Sequence, residues 1–263
     1  MVGQHVNSGS TKARLLEAAE SLFIEHGYEA MSLRQITALA GANLAAVNYH
    51  FGSKEVLVQE LLTKRLDRLN QERLQLLSTC EAQYGEQAMD VSVVLSVLFA
   101  PALRLTRDSA GGPAFMRLLG RVYSDPSPFI RDFLHEHYRT IYERFFAAFA
   151  RALPHMPRNE LGVRLQFSLK ALSGVLASEN MDELIEAICV GETVSDSLML
   201  ARLIAFIVPM LTTPFGQTEQ TRAVERVMRL AGIAAETVDE DVKAQARKAT
   251  GGPAPWSTNA AGV

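Results

Sequence analysis

The chain has 263 residues, of which 48% are hydrophobic and 21% charged, an ordinary globular composition that excludes a wholly disordered protein. Its 17 glycines follow no Gly-X-Y period, which excludes collagen. Lys and Arg number 26 against 29 Asp and Glu, a net charge of −3, so any nucleic-acid contact must come from a local patch and not from bulk charge.

The two cysteines, Cys80 and Cys189, form neither a Cys-x-x-Cys pair nor a Cys/His zinc spacing. No apolar h-region follows Met1, and no secretory signal is expected. The longest charge-free apolar stretches, Val91–Leu103 and Leu203–Thr218, fall short of the ~20 residues of a spanning helix. The expectation is a soluble cytoplasmic protein without metal or cofactor, and with no membrane partner.

The small polar residues 1–10 read as a flexible arm. Thr11 can cap a helix with Leu15, Ala18, Ala19, Leu22 and Phe23 on one face, ending near Gly27. Ser32 can cap a short helix bearing Leu33, Ile36, Leu39 and Ala40, with Gly41 as its stop. A third short helix covers Leu44–His50 and breaks at Gly52. Ser53 then caps a long helix to about Thr79. After a break at Ala82–Glu86, helices are predicted over 87–107, 113–124, 128–152, 159–180, 182–191, 196–213 and 217–231. The tail 233–263 has no apolar period and reads as disordered. No alternating strand pattern and no fixed-length repeat occurs. The predicted class is all-α, with units at 11–53 and 54–232.

Residues 32–50 have helix-turn-helix spacing, a unit that places its second helix in a DNA major groove. That helix is built from Asn43, Leu44, Ala45, Ala46, Val47 and Asn48, small side chains that let backbone approach base edges. Asn48 suits an adenine edge, and Ala45 or Ala46 a thymine methyl. Tyr49 and His50 offer a hydroxyl and an imidazole to phosphates. Lys54, in the first turn of the next helix, opposes the helix dipole unless an anion lies there. The opposite reading stands beside this one. Residues 1–60 carry Lys12, Arg14, Arg34 and Lys54 against six Glu, and two short helices around a glycine occur in many helical proteins.

The stretch LLEAAESLFIEHGYEAMSLRQITALAGANLAAVNYHFGSKEVLVQELL resembles the N-terminal domain of the TetR family of bacterial transcriptional repressors. The match includes Ala18–Ala19, Leu22–Phe23, Gly27–Tyr28, Ser32, Ile36, Ala40–Gly41, Tyr49–His50–Phe51, Lys54 and Leu57. The resemblance implies three DNA-binding helices, a linking fourth helix and a C-terminal domain for ligand binding and dimerisation. It implies that Ser32 caps the first motif helix and touches phosphate, that Tyr49, His50 and Lys54 form a phosphate-contacting end, and that Phe51 is a core aromatic. The DNA-binding set is therefore Ser32, Arg34, Asn43, Leu44, Ala45, Asn48, Tyr49, His50 and Lys54. NLAAVNYHFGSK and FMRLLGRVYS also resemble PsrA-type regulators, a branch that answers to long-chain fatty acids.

His137 falls within the apolar stripe of 128–152 and reads as a core histidine, with an effector contact as the alternative. Its spacing from His135 does not suit a shared metal on one helix face. Arg117 and Arg121 read as a solvated face, with binding of an acidic ligand as the alternative. Arg202, in an apolar helix, reads as paired with a carboxylate such as Glu179 or across a dimer, or as an anchor for an acidic effector. Phe115, Phe133, His137 and Phe145 are the candidate effector contacts. Helices 159–180 and 196–213, apolar on more than one face, are the candidate homodimer interface. No catalytic motif is present. The sequence thus points to a homodimeric, non-enzymatic repressor of operator DNA, released by a small hydrophobic effector such as a long-chain fatty acid or acyl thioester. The alternative is a helical lipid-binding protein that does not bind DNA.

Overall fold

The structure, a computed structural model of the full chain, describes residues 10–107, 112–176, 195–214 and 219–232. Residues 1–9 of the predicted arm, the helix over 182–191, Glu179, Cys189 and the tail 233–263 lie outside the described residues. Eleven helices are described, with no strand among the described residues. They are α1 (Thr11–Ala30), α2 (Leu33–Ala40), α3 (Leu44–His50), α4 (Lys54–Tyr84), α5 (Val91–Arg107), α6 (Gly112–Ser124), α7 (Pro128–His137), α8 (Arg139–Ala152), α9 (Arg158–Leu176), α10 (Asp196–Thr212) and α11 (Glu219–Leu230).

Several boundaries differ from those expected, each for a local reason. Ser10, not Thr11, caps α1, its hydroxyl accepting the Ala13 N–H at 3.2 Å. The helix continues past Gly27, which takes φ 77° and ψ 178° and kinks it. α4 runs on to Tyr84, because no breaker precedes Gly85. α5 starts at Val91 because Asp90 turns the chain there, accepting the Ser92 N–H at 2.7 Å. The single helix expected over 128–152 breaks at Tyr138, which leaves helical geometry at φ −109°, ψ 21°. Its buried ring is tethered there, the hydroxyl donating to Asp67 Oδ1 of α4 at 2.8 Å.

The chain divides into two compact units. The first comprises Met1–Leu76, Ala100–Arg139 and Lys170–Thr193. Here α1 packs on α2, α3 and α6. Leu15, Phe23, Ile36, Val47, Leu57, Leu61 and Leu118 are buried to 1% exposure or less. Each such side chain contributes roughly 1.5–3 kcal/mol of apolar transfer energy, so the two short helices α2 and α3 are held by packing on α1 and on each other.

The second unit comprises Leu77–Phe99, Thr140–Leu169 and Val194–Val263. Leu77, Leu95, Phe146, Phe149, Leu161, Ile207 and Leu211 form its apolar interior. Arg144 of α8 pairs with Glu81 of α4 at 2.5 Å. Arg164 of α9 pairs with Glu160 at 2.6 Å and donates to the carbonyls of Met210 and Thr213. It thereby satisfies carbonyls at the end of α10 that have no partner within the helix.

Candidate nucleic-acid interface

The motif is fixed by its caps. Ser32 accepts the Gln35 N–H at 3.3 Å, and Gln35 Oε1 accepts the Ser32 N–H at 2.8 Å, a capping box that starts α2. Gly41 ends α2 in the left-handed region at φ 58°, where glycine carries no Cβ penalty. The Ala42 N–H then donates back to Thr37 O at 2.9 Å. Asn43 starts α3, its Oδ1 accepting the Ala46 N–H at 2.9 Å. Asn43 thus has a structural task beside the DNA contact expected of it.

Within α3, Val47 points inward and is fully buried. Leu44, Ala45, Asn48 and Tyr49 are exposed and share the outward face. Leu44 is 48% exposed and Tyr49 86%. His50 is half-buried and lies edge-on to Tyr49, with ring centroids 5.0 Å apart. Phe51 is buried, with the Lys12 ammonium 5.4 Å from its ring centroid. Ser32 and Arg34 are exposed at the start of α2. The exposed side chains expected to meet DNA therefore sit on α3 and at the start of α2, while Ala38 and Leu39 are exposed at its far end.

Lys54 is placed differently from the expected empty anion site. Its Nζ donates to Tyr28 O at 2.8 Å and Met31 O at 2.9 Å, and lies 4.1 Å from the Tyr28 ring centroid. The carbonyls at the end of α1 offset the unfavourable helix-dipole position, and one ammonium proton remains for another acceptor.

Tyr28 is the centre of this junction. Its ring stacks on Phe129 at 4.6 Å, and its hydroxyl donates to Glu55 Oε1 at 2.9 Å. Burial, then the hydrogen bond and charge of Glu55, then the charge of Glu29, raise the phenol far above its ordinary range. Glu55 shifts the other way, lowered first by its own backbone hydrogen bond and then by Ser53 and Tyr28.

From α6, Arg121 donates to Ile24 O and Glu25 O, both at 3.0 Å. The solvated-face reading of Arg121 is therefore incorrect, because its guanidinium takes carbonyls of α1 just before the Gly27 kink. Asp125 follows one turn later and accepts the Tyr28 N–H at 3.0 Å. Ser127 donates from its hydroxyl to Glu29 at 2.8 Å. Sequence spacing carries no signal for these contacts, which join segments 96 to 98 positions apart.

The candidate effector residues are distributed. Phe115 on α6 is buried, and Phe133 on α7 is half-buried. Both belong to the first unit, whereas Phe145 on α8 is buried in the second. His137 is not a core histidine. Its side chain is 42% exposed, stacks on Phe133 at 5.2 Å and places Nε2 3.5 Å from Asp67 Oδ1. The early break at Tyr138 turns the residue buried at this point from His137 to Tyr138. Arg202 lies on the exposed side of α10. Among the described residues no helix is long and apolar enough to cross a membrane.

Two family models match the chain. "Bacterial regulatory proteins, tetR family" covers residues 15–61, and "Tetracyclin repressor-like, C-terminal domain" covers residues 96–210. Among curated proteins, the chain is 42% identical over 52 residues to the HTH-type transcriptional regulator TtgR of Pseudomonas putida, covering 20% of this chain and 25% of that protein. It is 42% identical over 60 residues to the HTH-type transcriptional repressor KstR2 of Mycobacterium tuberculosis, covering 23% and 30%. The matches thus span less than a third of these relatives' length. Among solved structures, a HlyIIR mutant aligns with a TM-score of 0.47 at 17% identity, over 78% of this chain and 97% of that one. Salmonella enterica GusR aligns with a TM-score of 0.42 at 20% identity, over 80% and 99%. The two family models together account for more than half of the residues, and they meet a helix-turn-helix whose caps and outward face have the geometry just described: the chain belongs to the TetR family of bacterial transcriptional regulators.

Proposed function

We propose that the protein is a homodimeric repressor that grips operator DNA with α3 and the first turn of α2, and lets go when a hydrophobic effector binds. The observation that carries this reading is the outward face of α3. Leu44, Ala45, Asn48 and Tyr49 stand exposed on a helix whose other side is locked by fully buried Val47. A short helix presenting an amide, a phenol and small apolar groups suits a major groove. Ser32, Tyr49, His50 and the free proton of Lys54 supply the phosphate contacts in this reading, with Arg34 beside them.

Dimerisation is supported by α9 and α10. Val163, Phe167, Leu198 and Phe206 are 47%, 63%, 42% and 61% exposed. Apolar side chains in register on two helices of one unit call for a partner surface, and a two-fold axis presents two recognition helices to a palindromic site.

The effector class is an acyl chain, such as a long-chain fatty acid or its thioester. The PsrA-like segment FMRLLGRVYS supports it, with Phe115, Phe133 and His137 of the first unit. Each buried CH₂ contributes ~0.8 kcal/mol, so a long chain binds with few polar contacts.

The test is a band shift of a duplex enriched by the protein from a random pool, followed by titration with saturated fatty acids of increasing length. Release that strengthens with chain length supports the whole reading. Release by a polar aromatic compound alone removes the fatty-acid element. Failure to enrich any duplex removes the repressor reading and leaves the lipid-binding one.

A further inference from the structure

The outward face of α3 carries no lysine or arginine, and three of the four that precede or follow it in residues 1–54 make contacts within the chain. Residues 1–54 contain only Lys12, Arg14, Arg34 and Lys54 as Lys or Arg. Lys12 pairs with Glu60 at 2.8 Å. Arg14 donates to Ala40 O at 3.0 Å. Lys54 donates to two carbonyls. Arg34 is exposed, but it stands on α2. Guanine is read in the major groove most often by Arg or Lys reaching O6 and N7 together, and α3 has neither.

The amides are divided in the same way. Bidentate recognition of adenine needs an amide oxygen to accept from N6 and an amide NH₂ to donate to N7. Asn43 Oδ1 already accepts the Ala46 N–H, which holds the Asn43 amide against the first turn of α3 as a cap and not fork-on to a base edge. Asn48, exposed one turn later, keeps both groups. Beside it Leu44 and Ala45 offer apolar carbon, and the only apolar group on a base edge in the major groove is the thymine methyl.

We infer that α3 reads adenine–thymine pairs: Asn48 takes an adenine edge, Leu44 and Ala45 take neighbouring thymine methyls, and any cation-read guanine in the half-site belongs to Arg34. This rests on the DNA-binding reading above and narrows it to a base chemistry.

The test uses the full chain and a duplex that it enriches from a random pool. Each thymine of the half-site is replaced in turn by deoxyuridine, which removes only the methyl group. The expected result is a loss of about fourfold in affinity at one or two thymines, the value of one buried methyl. With Leu44→Ala, one of those losses should disappear. Leu44 is half exposed, and a thermal melt of the variant checks that it folds. Deoxyuridine at every thymine without effect overturns the inference even if Leu44→Ala fails to fold. So does a loss on replacing guanine by 7-deazaguanine that persists in Arg34→Ala. In either case the enriched duplex still bound leaves the repressor reading intact. If no duplex is enriched, both fall together.

Discussion

The carboxylate of Asp125 accepts the backbone N–H of Tyr28 across 97 positions of sequence, at 3.0 Å. The contact ties the segment after α6 to the end of α1, within the unit that carries the helix-turn-helix. Asp125 Oδ1 also accepts the Ser127 N–H at 2.9 Å, so both oxygens are engaged and the residue is buried. Asp125→Ala leaves two buried N–H groups without their acceptor. Urea unfolding should show a loss of about 1–3 kcal/mol, whereas a change under 0.5 kcal/mol would mean that water replaces the carboxylate.

Gly27 lies beside that carboxylate. A Cβ at this position would stand 2.7 Å from Asp125 Oδ2, and the backbone there has φ 77° and ψ 178°. Non-glycine residues in that region cost about 1–3 kcal/mol before any collision. Gly41 has φ 58° with nothing within 4 Å of its Cβ direction, where the left-handed penalty alone is roughly 1–2 kcal/mol. Gly27→Ala should therefore lower the melting temperature more than Gly41→Ala. The reverse order would contradict the close approach.

The contrast marks how far the sequence could be read. Gly41, Ser32 and Ser53 announced their tasks because caps and helix stops are local, set by residues three or four positions away. The all-α class and the helix-turn-helix followed from the same punctuation and from the family-like pattern. Arg121 and Asp125 gave no such notice, since their partners lie on α1. His137 was misplaced because a helical wheel assumes an unbroken helix, and the chain leaves helical geometry one residue later, at Tyr138. Asn43 was half legible. Its position before Leu44 is that of a cap, yet the same residue type also reads adenine, and only the hydrogen bond to Ala46 N decides between them.

Asn43 and Asn48 should accordingly separate folding from recognition. Asn43→Ala removes a cap and should cost ~1 kcal/mol of stability. Asn48→Ala should change stability by less than about 0.5 kcal/mol, as an exposed site, and weaken binding at one base pair by ~1–3 kcal/mol. Denaturation and band shifts on the two variants check both halves. Equal stability losses would place Asn48 in the scaffold.

The apolar faces of α9 and α10 make a prediction about assembly. Phe206 and Phe167 are both more than 60% exposed, so a charge at either site leaves the subunit interior untouched. Phe206→Glu should yield a monomer at micromolar concentration in sedimentation, with the helical circular dichroism of the parent and with weakened operator binding. A variant that stays dimeric would move the interface elsewhere.

The junction around Tyr28 sets a pH dependence with opposite signs at its two ends. Glu55 is lowered in the folded protein, so its contribution is present above the ordinary carboxylate range near 4 and is lost as pH falls through the lowered value. Tyr28 is raised. Its contribution is full below about pH 10, where the phenol is neutral in both states. Above that, the unfolded chain releases a proton that the folded one retains, and stability falls as pH rises. Tyr28→Phe removes the alkaline effect outright. It also takes a hydrogen bond from Glu55, which lets that carboxyl rise toward its ordinary value and weakens the acid effect. Stability measured by urea from pH 3 to 11 should therefore show both limbs flattened in Tyr28→Phe relative to the parent. An unchanged alkaline limb would assign that loss to other groups and remove Tyr28 from the account.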